Sequence, residues 1–257
     1  MTAVLRALWW REITKFLRDR SRLAGALVQP LAFWVLLGLG FYGTFEMPGG
    51  EGVGYLEYLY PGIIALILLF TAIFSTISIV TERQEGFLQA ALVAPVPRTV
   101  VVFGLVSGGA TLAVVEAVLF LFLAPLVGLG PGLLGLGVVL TATVAMALAF
   151  TALGFILAWR LETTRGFHAV MNLFLLPMWF LSGAFFPATG VPAALQWVMY
   201  LNPAFYGVAA IRQGLYLPGV APGVELPLAL TLGVSVAFAA GVLALAVWTV
   251  RRPLFAS

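Results

Sequence analysis

Few residues in this chain carry reactive chemistry. One carboxyl, Glu116, sits inside a long apolar run, one histidine, His168, sits at the edge of another, and the one lysine, Lys15, belongs to a basic stretch near the N-terminus. Cysteine is absent, which excludes disulfides and thiolate metal sites. No Ser-His-Asp set or metal-ligand cluster is visible, so no catalytic and no metal-binding residues are predicted. A P-loop requires a lysine within G-x-x-x-x-G-K-[ST] to reach the phosphates. Lys15 follows Thr14, so this chain has no nucleotide site of its own. The small residues Val106-Ser107-Gly108-Gly109-Ala110 lie in an apolar run, where they let helices approach closely.

Glu116 is expensive in such a run and is expected to face the bundle interior or a water-filled cavity. It is read either as a polar contact or latch on a substrate path, or as a protonated carboxyl bonded to a neighbouring helix. His168 is read as an interfacial residue.

Three stretches carry most of the remaining information. The first is residues 1–22. Leu5, Leu8, Trp9, Ile13, Phe16 and Leu17 recur at helical spacing on one side, with Arg11, Lys15, Arg18 and Arg22 on the other. The pattern predicts a helix lying in the lipid headgroup plane, or else a solvated or partner-facing basic helix.

The second stretch is the polar connection 81–98. Thr81 is expected to cap a short helix with Glu82 and Glu85 in its first turn, near the positive dipole end. Phe87, Leu88, Ala91 and Leu92 give it an apolar side, and Pro95 and Pro97 stop it. Such a helix suits docking into a groove on a partner, or packing against the protein's own edge.

The third stretch is 168–216. It starts as a span, carries Pro177 in its middle and stops at Ser182-Gly183 and Pro187. Two short aromatic pieces follow, 191–200 and 203–216, each too short to cross. Residues 187–217 are therefore expected to form re-entrant helices.

These stretches need a scaffold, and the composition supplies one. Of 257 residues, 62% are hydrophobic and 9% charged, far from a soluble domain. The chain reads as one all-α, polytopic transmembrane domain over 1–257. Six spans are predicted at 23–45, 59–80, 99–123, 133–159, 168–186 and 226–250, each long enough to cross about 30 Å of hydrocarbon. Pro30 predicts a kink in the first span. Arg and Lys crowd the N-terminus and alternate connections, with Arg251 and Arg252 after the last span. Arg212 is the one basic residue on the opposite side. Both termini are therefore expected to be cytoplasmic. Tyr55, Tyr58 and Tyr60 fit an aromatic interface belt. No internal repeat supports an inverted-repeat transporter.

On these residues the chain resembles the permeases of type-2 ABC transporters, typically exporters. Trp10–Arg20 resembles the family's "RE…LRDR" entry helix. Glu82–Arg98 resembles "E-R-E-x-G-T-x-E-x-L-x-x-x-P", departing at Phe87 and Gln89. Leu176–Pro187, Leu201–Tyr206 with the following Arg212, and Tyr60-Pro61-Gly62 resemble further family segments.

The resemblance implies six transmembrane helices, a dimer with a second permease copy, and two separate ABC ATPase subunits that hold ATP and Mg. It implies a multi-pass protein of the plasma (inner) membrane in contact with lipid and not with nucleic acid. It makes Glu82, Arg83, Glu85, Gly86, Phe87, Leu88, Leu92 and Pro95 the coupling set. It makes Pro187, Trp197, Tyr200, Asn202, Pro203, Tyr206 and Arg212 part of an outer lid. Phe33, Trp34, Phe41, Glu116, Trp179 and Phe180 are candidate pathway residues. Few charges in the spans suit a hydrophobic or amphipathic cargo, drug or lipid, while the aromatics would also suit polysaccharide or glycolipid export. A secondary transporter using Glu116 and a non-transporting scaffold are the other classes.

Overall fold

The structure is a computed structural model that describes residues 1–41, 53–86 and 96–251. An N-terminal helix, α1 (Thr2–Arg18), turns at Asp19 into α2 (Arg20–Gly40). Then come α3 (Tyr55–Gln84), α4 (Arg98–Leu121) and α5 (Leu133–Arg160). The helix α6 (Thr164–Trp179) is followed by α7 (Ala193–Leu201), α8 (Pro203–Tyr216) and α9 (Leu228–Arg251). Among the described residues, six helical segments are long and apolar enough to cross a membrane. They correspond in order to the six predicted spans.

α3 is the axis of the bundle: 89% of its span is buried, against 22% of the first span and 28% of the last. Helices in lipid gain nothing from burying apolar surface against each other, so close packing must hold them. Glycines provide it here. A Cβ on Gly109 of α4 would stand 2.6 Å from Ser75 Oγ of α3 and 2.8 Å from Thr151 Cγ2 of α5. On the neighbouring face, a Cβ on Gly104 or Gly108 would lie 2.7 Å from the Cβ of Leu8 or Glu12. The small-residue run thus seats α1 on one side and α3 with α5 on another.

Several boundaries and surroundings differ from the sequence reading. Thr81 caps no new helix: α3 runs on to Gln84, so Thr81–Gln84 form its last turn. Backbone bonding from the preceding turns outweighs the local capping signal. Tyr58 and Tyr60 are fully buried, not a surface belt, and each hydroxyl finds a carbonyl: Gly183 at 2.9 Å and Phe120 at 2.6 Å. Pro30 lies inside α2, the position at which the kink was expected.

Candidate functional site: a tied basic end and a far-end cluster

At the basic end, α1 is clamped to α3. Glu82, in the last turn of α3, is 5% exposed. Its Oε1 accepts from Arg11 Nη2 at 2.5 Å and also from Lys15 Nζ. The basic stripe of α1 therefore spends two of its cations on a buried carboxylate. Trp9 Nε1 adds a hydrogen bond to Thr111 Oγ1 at 3.0 Å, and Phe16 is buried. Trp10 and Leu17, each next in sequence to a packed aromatic, remain exposed.

The residues of the coupling set divide. Glu82 is consumed inside the permease, and Arg83 reaches the end of α5. Glu85 is exposed, and Gly86 takes a left-handed turn with φ of +79° after α3. Phe87, Leu88, Leu92 and Pro95 lie outside the described residues.

The six candidate pathway residues also divide. Trp34 and Trp179 are interior. Trp34 Nε1 donates to Leu56 O at 3.0 Å and packs edge-on against Tyr60 and Phe120. Trp179 Nε1 donates to Gly62 O at 2.7 Å. Phe33, Phe41 and Phe180 are exposed, with Phe33 edge-on to Trp179 and Phe180 stacked on Phe185. Glu116 is buried between helices in the bundle interior, where Oε2 takes the Thr71 hydroxyl and Oε1 has no partner. A carboxyl with half its acceptors unused is held by packing more than by bonding.

At the far end, the break after α6 is the organising feature. Phe180–Ala184 form a widened turn in which Gly183 has φ of +78°, a conformation that needs glycine. Ala184 presses on α3, since a Cβ on Gly62 would come within 2.5 Å of the Ala184 Cβ. The Gly183 carbonyl takes both the Tyr58 hydroxyl and Arg212 Nη2, each at 2.9 Å. Arg212, 2% exposed, lies over the Tyr58 ring at 4.1 Å. Among the described residues no carboxylate forms an ion pair with it, and its Nε is buried without a partner.

Asn202 caps α8 through Ala204 N at 3.0 Å and donates from Nδ2 to Met178 O at 2.5 Å. Tyr206 donates to Tyr200 O at 2.9 Å, while Pro187 is buried and Trp197 stands exposed. α8 is packed into the bundle: a Cβ on Gly207 would meet Met146 Sδ at 2.4 Å. Tyr216, at its end, donates to Glu57 Oε1 at 2.6 Å. Burial pushes the Tyr216 phenol well above its ordinary range, and the Glu57 contact adds to that.

The sequence reading missed the tie of Tyr216 to Glu57 and the contacts of Arg98. Tyr58 was visible as an aromatic, and its burial among neighbouring helices was not.

The helical bundle is that of a multi-pass membrane protein. Residues 3–216 match the ABC-2 type transporter family, and the chain belongs to it. It is 27% identical over 241 residues to the inner membrane transport permease YadH of Escherichia coli strain K12, covering 91% of this chain and 89% of that one. It is 28% identical over 193 residues to the putative transport permease ycf38 of Cyanophora paradoxa, covering 74% and 66%. It is 27% identical over 215 residues to nodulation protein J of Sinorhizobium fredii, covering 81% and 80%. The protein is a multi-pass inner-membrane permease subunit of an ABC transporter, and membership in the family implies association with ABC ATPase partners.

Proposed function

We propose that this chain is the permease of an ATP-driven exporter, carrying a hydrophobic or amphipathic cargo of drug or lipid type outward. Two ATPase subunits supply ATP and Mg, and a second permease copy completes the path. The basic end faces the cytoplasm, a reading that the Arg and Lys placement supports. α1 lies at that interface, supported by the exposed Trp10 and Leu17 face. The ATPase docks on the connection between α3 and α4. α7 and α8 are the outer, re-entrant lid.

The observation that carries the cargo assignment is the character of the exposed spans. Val28, Phe33, Leu36 and Leu39 of α2 are exposed, as are Leu173, Phe174 and Phe180 on and after α6. A surface this free of charge suits a cargo with a large apolar part. The test uses vesicles containing the permease and its ATPase, with a fluorescent amphipathic dye and a fluorescent phospholipid as separate probes. ATP-dependent movement of either probe supports the reading. Movement driven by a pH gradient with the permease alone overturns it.

A further inference from the structure

Residues 87–95 are flanked by side chains tied to helices that neither flank continues into. On one flank, Arg83 in the last turn of α3 donates from Nη1 to Trp159 O at 2.5 Å and from Nη2 to Leu161 O. Beside it, Gln84 Nε2 donates to Glu162 O at 2.6 Å. On the other flank, Arg98 at the start of α4 donates from Nη1 to Val250 O at 3.0 Å. Trp159 and Val250 belong to the last turns of α5 and α9. The final carbonyls of a helix have no N–H of their own helix to accept. A cation there also meets the negative end of the helix dipole. The guanidinium of Arg83 holds one such carbonyl, that of Trp159, together with the carbonyl of the C-cap residue Leu161, using two nitrogens, which a lysine cannot do.

We propose that Arg83 and Arg98 are positioning residues that make the ends of α5 and α9 move with the α3–α4 connection. A displacement applied at the connection then reaches two further spans directly, and Glu82 carries it to α1. This proposal rests on the reading that the ATPase docks at that connection.

The absence of native cysteine makes the test clean. Nitroxide labels on Glu85→Cys and Glu162→Cys, both exposed positions, report the Arg83 tie by dipolar broadening. Labels on Pro97→Cys and Arg251→Cys report the Arg98 tie. The permease–ATPase complex is measured nucleotide-free and vanadate-trapped. With both arginines present, the broadening of each pair is expected to be the same in the two states. Arg83→Gln and Arg98→Gln are each expected to lose it at their own pair on trapping, and Arg83→Lys to retain part of it. Permease-dependent ATP hydrolysis is expected to fall roughly tenfold in the glutamine variants, the factor for about 1.4 kcal/mol.

Broadening that changes on trapping with both arginines present overturns the proposal, as does unchanged broadening in both glutamine variants. If no ATPase binds the unsubstituted permease, the docking reading fails and the positioning roles fall with it. ATPase binding with unaltered spectra in the variants overturns the positioning roles alone.

Discussion

Arg212 and Tyr58 share one acceptor, the carbonyl of Gly183, with each bond 2.9 Å long and the guanidinium 4.1 Å above the phenol ring. Three elements meet at this point: α3, α8 and the break after α6. Arg212→Met removes the charged donor while keeping much of the apolar stem. It is expected to cost about 2–4 kcal/mol, from lost charge-assisted hydrogen bonding and cation–π attraction. Thermal unfolding in detergent measures it. Arg212→Lys should recover only part, since one ammonium cannot repeat the planar contact.

The same junction makes glycine indispensable at two positions. Gly62→Ala puts a methyl within 2.5 Å of Ala184 Cβ and 2.8 Å of its Cα, where backbone must move. The expected cost is about 1–3 kcal/mol. Gly183→Ala strains a φ of +78°, by about 1–2 kcal/mol. An unfolding midpoint unchanged in both variants contradicts the described junction.

α1 is predicted to be held by the Gly104–Gly108 face and by Glu82. Gly108→Leu should displace α1, read as protease or labelling access at Trp9 and Phe16, which now face α4. Glu82→Gln keeps the shape but leaves two cations facing a neutral amide. It should loosen α1 by about 1–3 kcal/mol, less than removal of a fully buried pair, because Arg11 and Lys15 are each about one-third exposed. Unchanged access in both variants counts against the clamp.

Glu116 is expected to tolerate an uncharged isostere. Glu116→Gln keeps an oxygen for the Thr71 hydroxyl, and melting should shift little. Glu116→Lys places a cation where no described carboxylate faces it, at an expected cost of about 3 kcal/mol or more. Transport and its pH dependence in Glu116→Gln separate a packing role from a path role: unchanged values assign it to packing.

How much was readable in advance follows from what each feature depends on. The six spans were legible because crossing lipid demands a long apolar run, which is a property of sequence alone. The close packing at Val106–Ala110 was legible because small side chains have one main use between helices. The end of α3 was not: Thr81 with acids after it reads as a cap, yet the same residues fit the last turn of a helix already under way. The burial of Tyr58 and Tyr60 was not legible, because which side chains cover a tyrosine is decided by neighbours distant in sequence. The ties of Arg83 and Arg98 were invisible for a simpler reason. Their acceptors are backbone carbonyls, which every residue has. Glu82 was expected to serve the partner, and only the fold shows α1 close enough to take it first.

The central claim is that energy enters this permease from a separate ATPase. Its most direct test is ATP hydrolysis by the co-purified ATPase in lipid vesicles, compared with and without the permease, and with Leu88→Asp. The account predicts an ATPase that co-purifies, whose hydrolysis depends on the permease, and a loss of that dependence in Leu88→Asp while the permease still folds. An ATPase that fails to bind, or whose rate ignores the permease altogether, contradicts it.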